Sequence, residues 1–198
     1  MSWRLTLGTV RQWHWMSSAL CLVGMLLFAV TGITLNHAAD IRVSPQVDTY
    51  EIVLPDTLLA SLATADTAAT LPEPIQSWLQ RELGVRASGP AEWDATEVYV
   101  SLPRPGGDGW LVIERDSGTV FYESTDRGWI AYLNDLHKGR NTGLAWSWFI
   151  DIFSLACVVF CLTGLLLLYR HAGGRPTTWP LVGLGLLIPW LLALLFIH

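Results

Sequence analysis

Five histidines, His14, His37, His137, His171 and His198, are the residues here whose spacing points to chemistry. His14 and His37 flank an apolar run, Trp15 to Leu35, that holds no Asp, Glu, Lys or Arg. His137 and His171 flank a second run, Asn141 to Tyr169, whose only charged residue is Asp151. If the two runs are antiparallel neighbouring helices, the imidazoles meet as two couples, His14 with His171 and His37 with His137. Facing imidazoles on a helix pair suit six-coordinate haem iron, because the porphyrin supplies four in-plane nitrogens and the protein two axial ones. Apolar walls would suit the macrocycle, and arginines at the helix ends could meet its propionates. The chain has no CxxCH, so such a haem is of the non-covalent b type. Spacing alone leaves two other readings open, an unrelated metal and histidines that are merely structural. His14 and His37 are 23 residues apart, roughly 35 Å of helix axis, so two haems would lie far from one another.

Other reactive types form weaker patterns. Cys21 with Met25, and Cys157 with Cys161, lie at i,i+4 spacing near mid-run; they suit either a soft-metal site or plain packing. Asp151 is costly in an apolar helix and either joins a hydrogen-bond network with Arg140 or His137 or passes protons. His198 is expected at the surface. Thr31-Gly32 in the first run and Thr163-Gly164 in the second sit in similar surroundings, LLFAVTGITL and VVFCLTGLLL. Read as an inverted repeat, each step admits close approach by another helix or by a flat ligand. No nucleophile–base–orienter set and no phosphate-cradling loop is visible.

The elements that must position these residues follow from hydropathy. A run of about 20 apolar residues spans a bilayer as a helix. Three are expected, at about 13–36, 143–169 and 179–197, the last bent by Pro189. The first is longer than a secretory signal's apolar core and lacks a small-residue cleavage site, so it reads as a retained anchor. The chain of 198 residues is 52% hydrophobic and 15% charged, against about 25% charged in soluble domains. The charge is also segregated. Sixteen of the 17 acids lie between Asp40 and Asp135, and segment 38–142 nets −8, with eight bases. Arg4, Arg11, Arg170 and Arg175 flank the other ends of the runs, which makes that side cytoplasmic and the acidic segment periplasmic. No basic stripe exists for nucleic acid. All three cysteines lie in apolar runs, so no disulfide framework is expected.

The acidic segment is large enough for one small domain. Residues 41–54 alternate weakly and could form a strand, and Asp56 can open a short helix. Pro72 to Leu83 places Ile75, Trp78, Leu79 and Leu83 on one face and stops at Gly84. Thr96–Leu102, Gly109–Arg115 and Gly118–Glu123 read as strands joined by turn residues. The fold class is therefore membrane α-helical, three transmembrane helices with a small extracytoplasmic α+β domain inserted between helices 1 and 2. The divisions fall at 1–37, 38–142, 143–171 and 172–198.

TGITLNH (31–37), NDLHKGRNTGLAWSWFID (134–151) and TGL (163–165) together resemble the PepSY-associated transmembrane proteins of Gram-negative inner membranes. The helix and meander at about 72–123 are similar to that family's PepSY module. The resemblance covers nearly the whole chain and implies a role in iron acquisition, as in larger haem-containing reductases that release iron from ferric siderophores. It implies axial ligation of one or two b haems by His14, His37, His137 and His171. It also implies a ferric siderophore as acceptor. The short cytoplasmic parts cannot hold a flavin or nicotinamide domain, so electrons are expected from membrane quinol or a separate reductase. Two helices alone wall in haem poorly, so helix 3, or a second copy in a homodimer, is expected to complete the bundle. A rival from another class is a non-enzymatic, membrane-tethered PepSY module that binds or regulates a periplasmic partner such as a protease.

Overall fold

The computed structural model describes residues 8–63 and 69–197; His198 and Arg4 lie outside them. In chain order the elements are α1 (Val10–Asn36), β1 (Gln46–Val53), α2 (Asp56–Ala63), α3 (Glu73–Glu82), β2 (Ala91–Trp93), β3 (Glu97–Ser101), β4 (Gly107–Glu114), β5 (Thr119–Asp126), α4 (Gly128–Lys138), α5 (Gly143–His171) and α6 (Thr178–Phe196). The chain divides into two compact units. A helical unit holds residues 1–27 and 148–198, and a sheet unit holds 28–147.

Three helices, α1, α5 and α6, are long and apolar enough to cross a membrane. Each begins or ends within three residues of the expected bounds, and α6 runs through Pro189 as one element. Their large apolar side chains, Leu20, Leu26, Leu155 and Leu191 among them, point outward, as they do when the surrounding medium is hydrocarbon and not water. In the helical unit, α1 and α5 approach closely at Gly24. A Cβ there would lie 2.3 Å from the Phe153 ring, so the phenyl group occupies the space that a side chain would take.

The sheet unit is built on one antiparallel sheet in the order β1-β5-β4-β3-β2. Alternation decides which face is buried. Val98 and Val100, Leu111 and Ile113, and Val120 form the inner face, each fully buried. Leu62 of α2 and Ile75, Trp78 and Leu79 of α3 complete that core. α3 starts at Pro72 with a proline in its first turn, carries Glu73 there, and closes at Leu83 before Gly84 at φ +68°. These features match proline's fixed φ, a carboxylate at a helix N-terminus and glycine's freedom past a C-terminus. Two strands differ from the sequence reading. β1 is confined to 46–53 and pairs along its whole length with β5, Tyr50 opposite Tyr122, and the three-residue β2 was not expected at all.

α4 was also unforeseen, and it carries the candidate ligand His137. Sequence reasoning placed His137 at the outer end of the second membrane helix; it belongs to a separate helix that stops at Gly139, φ +68°. The residues Ile130, Leu133 and Leu136 have helical spacing and Gly139 is a glycine stop, so the signal was present. α4 is anchored by Asp135, which is buried, accepts the Gly106 N–H at 2.8 Å and lies 3.6 Å from the Arg127 guanidinium. Trp146 of α5 donates its indole N–H to the Leu136 carbonyl at 2.9 Å, which satisfies one of the acceptors orphaned at the end of α4.

Leu79→Ala is expected to lower the stability of the sheet unit by about 2–5 kcal/mol, measured as a lower urea midpoint of tryptophan fluorescence in the detergent-solubilised chain. Val53→Ala, at a position 65% exposed, should stay within about 0.5 kcal/mol. A side chain at Gly106 would meet the Tyr132 backbone at 2.7 Å, in a backbone with φ +71°. Gly106→Ala should therefore detach α4 from the sheet, and limited proteolysis should show faster cleavage between 127 and 140.

Candidate functional site

The two Thr-Gly steps hold imidazoles. In the helical unit, His14 of α1 places Nδ1 3.1 Å from the Thr163 hydroxyl of α5. The imidazole stacks on Phe160, with centroids 4.9 Å apart and planes 13° apart. A Cβ on Gly164 would come within 3.2 Å of the His14 ring. In the sheet unit, His137 of α4 places Nδ1 2.7 Å from the Thr31 hydroxyl of α1. Its ring lies 4.9 Å from Phe28, tilted by 44°, and is the neighbour that a Cβ on Gly32 would meet, at 3.6 Å. Each step is thus the pattern Phe-x-x-Thr-Gly: Phe28-Ala29-Val30-Thr31-Gly32 and Phe160-Cys161-Leu162-Thr163-Gly164. The i, i+3, i+4 spacing puts phenyl ring, hydroxyl and gap on one helix face.

The hydroxyls decide which ring nitrogen carries the proton. Thr163 Oγ1 lies 2.7 Å from the Val159 carbonyl and 3.0 Å from that of Phe160. Thr31 Oγ1 lies 3.2 Å from the Phe28 carbonyl. A carbonyl only accepts, so a hydroxyl that donates along its own helix has its oxygen left to accept from the imidazole. His14 and His137 then donate through Nδ1–H and keep a lone pair on Nε2. His171 has the same form by a simpler route, with Nδ1 2.9 Å from the Leu167 carbonyl. His37 directs Nδ1 to the Asp40 carboxylate at 3.4 Å, with its side chain 59% exposed. In all four histidines Nδ1 is the nitrogen with an oxygen neighbour, the pattern found where a metal-binding histidine has its second nitrogen tied to an acceptor.

His14 and His171 share a cavity of about 480 Å³ in the helical unit. Gly164, Leu167 and Leu168 form an apolar part of its lining, while Arg11 and Arg175 add two guanidinium groups. Its size is within the range of small-molecule sites. Two imidazoles, an apolar wall and two cations are a donor set that fits a b haem: two axial nitrogens, a surface for the macrocycle and partners for its carboxylates. His14 and His171 line the same cavity. In the sheet unit, His137 is half-buried at the Thr31 step, and His37 lies in the exposed turn that follows α1.

The remaining candidates are not gathered in this way. Among the described residues, no three His, Cys, Asp or Glu side chains converge on a point where a bare ion could sit. Cys21, buried, and Cys157, partly so, are within hydrogen-bond reach of each other between α1 and α5, whereas Cys161 is exposed. Asp151 is exposed on α5. Sequence reasoning found the two Thr-Gly steps but assigned them to helix approach or a flat ligand. What occupies each is a histidine from another helix, and the phenylalanine three residues before the threonine was the overlooked part of the signal.

No curated protein and no solved structure matches the chain. Its sequence matches the PepSY_TM-like family over residues 5–198. With three helices long enough to cross a membrane and a helix-backed antiparallel sheet between the first and second, the chain belongs to the PepSY_TM-like family.

Proposed function

We propose that this chain is a b-type haem electron-transfer protein of the bacterial inner membrane, which carries electrons across the bilayer to ferric siderophore iron in the periplasm. The observation that supports it best is the shared cavity of His14 and His171. These residues lie 157 positions apart in the chain, yet they line one space, and each has Nδ1 held by an oxygen acceptor.

His14 and His171 would hold the haem at the end of the helix pair marked by Arg11 and Arg175, with His37 and His137 as the corresponding pair at the other end. When bound, haem supplies a one-electron iron couple at a potential set by its two axial nitrogens. The chain's own residues do the rest. Thr163 and the Leu167 carbonyl fix the ring orientations of His14 and His171, Leu167 and Leu168 exclude water, and Arg11 and Arg175 neutralise carboxylates. The acidic sheet unit faces the periplasm in this reading, and the basic ends of α1 and α5 face the cytoplasm. Electrons come from membrane quinol or a separate reductase. Reduction of the siderophore's iron frees it, because Fe(II) binds hard oxygen donors less tightly than Fe(III).

The visible spectrum of the purified protein tests this directly. Chain from haem-replete cells should show a sharp Soret band, and dithionite should bring out split α and β bands. His171→Ala should lower the haem content per chain by at least roughly tenfold, given what even indirect partners contribute to metal sites. A colourless preparation that folds normally would instead favour a membrane-tethered PepSY module that binds a protein partner without a cofactor.

A further inference from the structure

We infer that Thr31 and Thr163 are the positioning residues of this protein, and that the pattern Phe-x-x-Thr-Gly is a repeated imidazole cradle that holds a histidine in its Nδ1–H form. The inference deepens the haem reading, on which it rests for the identity of the ligand only; the hydrogen bonds stand without it.

Three features of each cradle act on the ring together. The threonine oxygen accepts Nδ1–H, at 3.1 Å for His14 and 2.7 Å for His137. The phenylalanine lies against the imidazole at 4.9 Å in both cases, stacked on His14 and tilted by 44° at His137. The glycine lies beside the Cε1 edge of the ring: a Cβ on Gly164 would crowd His14 at 3.2 Å, and one on Gly32 would sit in ordinary contact with His137 at 3.6 Å. An imidazole that merely packs against a helix needs the gap and the phenyl ring but no acceptor. The acceptor is what selects one nitrogen, because a neutral imidazole has a single proton to place. The cradles come from different helices and different units of the chain, so one local accident does not produce both. Phe28, Thr31 and Gly32 on α1 receive a histidine of α4, and Phe160, Thr163 and Gly164 on α5 receive a histidine of α1.

The consequence is a division of labour between nitrogens. Nδ1 belongs to the scaffold and Nε2 to the ligand. Loss of the threonine oxygen leaves the ring in place, held by Phe160 or Phe28, but frees it to choose its tautomer and its tilt. Outer-shell partners of this kind typically contribute 10–100-fold to metal affinity.

The test uses the full chain in detergent, labelled with ¹⁵N-histidine and purified without added haem. Its ring-nitrogen spectra should show Nδ1–H tautomers for His14 and His137. Thr163→Val should alter the tautomer of His14 alone and Thr31→Val that of His137 alone, while Thr163→Ser and Thr31→Ser, which keep the oxygen, should restore the wild-type signals. Haemin titrated into the same samples should bind Thr163→Val about 10–100-fold more weakly than wild type, and Thr163→Ser close to wild type. Unchanged tautomers in both valine variants would overturn the cradle, as would a change at both histidines from either single variant. A wild-type chain that shows the Nδ1–H forms but takes up no haemin would leave the cradle standing and remove the haem reading.

Discussion

A neutral imidazole carries one proton and one lone pair, and the chemistry open to this protein depends on where the proton is held. In water either nitrogen can carry it. Against an apolar helix face, an unpaired ring N–H costs about 1–3 kcal/mol, so the proton goes wherever an acceptor waits. Thr163, Thr31, the Leu167 carbonyl and the Asp40 carboxylate all wait at Nδ1. Four histidines on different elements thus have the same nitrogen beside an oxygen, His14 and His137 part-buried and His37 and His171 exposed. A threonine can act as such an acceptor inside a helix only because its own hydroxyl proton returns to the preceding turn, as it does to Val159 and to Phe28. The helix backbone is therefore the final sink for the hydrogen-bond chain, and no buried charge is needed to orient the ring.

Glycine is the second half of the same constraint. A helix residue with a Cβ at position 164 would have its methyl group 3.2 Å from the His14 ring, closer than comfortable carbon contact. The imidazole could reach Thr163 only by tilting away from Phe160. At this step glycine follows threonine directly and phenylalanine stands one turn before it; at the other, a Cβ on Gly32 would meet His137 at an ordinary 3.6 Å. Small residues in membrane helices usually serve helix–helix approach, and Gly24 does so by admitting Phe153. Gly32 and Gly164 admit a reactive side chain instead.

Much of this was legible in the sequence and some was hidden for physical reasons. The three apolar helices were plain because their composition has no other stable home. α3 and strands β3 to β5 announced themselves through alternation and turn residues. The pairing of Thr31-Gly32 with Thr163-Gly164 was visible as a repeat, but its occupant was not. The histidines that fill the steps lie 106 and 149 residues from their threonines, and spacing along a chain carries no information about such partners. β2 escaped because three residues are too few to show alternation. α4 escaped because His137 was read only as a flank of the apolar run beginning at Asn141, and the residues before it were given no helix. The turn between them, Gly139 at φ +68° and Asn141 at φ 57°, is a left-handed break, and an asparagine is one of the few residues with a Cβ that accepts that conformation readily.

The location of His137 on α4 gives the sheet unit a mechanical role that a bare helix pair would lack. Asn134, Asp135 and His137 are near neighbours on one short helix, and each reaches in a different direction. Asn134 accepts the Thr34 hydroxyl at 2.9 Å, Asp135 takes the Gly106 N–H at the start of β4, and His137 meets Thr31. The sheet, α4 and the end of α1 that belongs to this unit are thereby tied through a helix of 11 residues, with the Tyr132 backbone pressed against Gly106. The imidazole of His14 is held between two long helices, and that of His137 by a short helix bound to a folded domain.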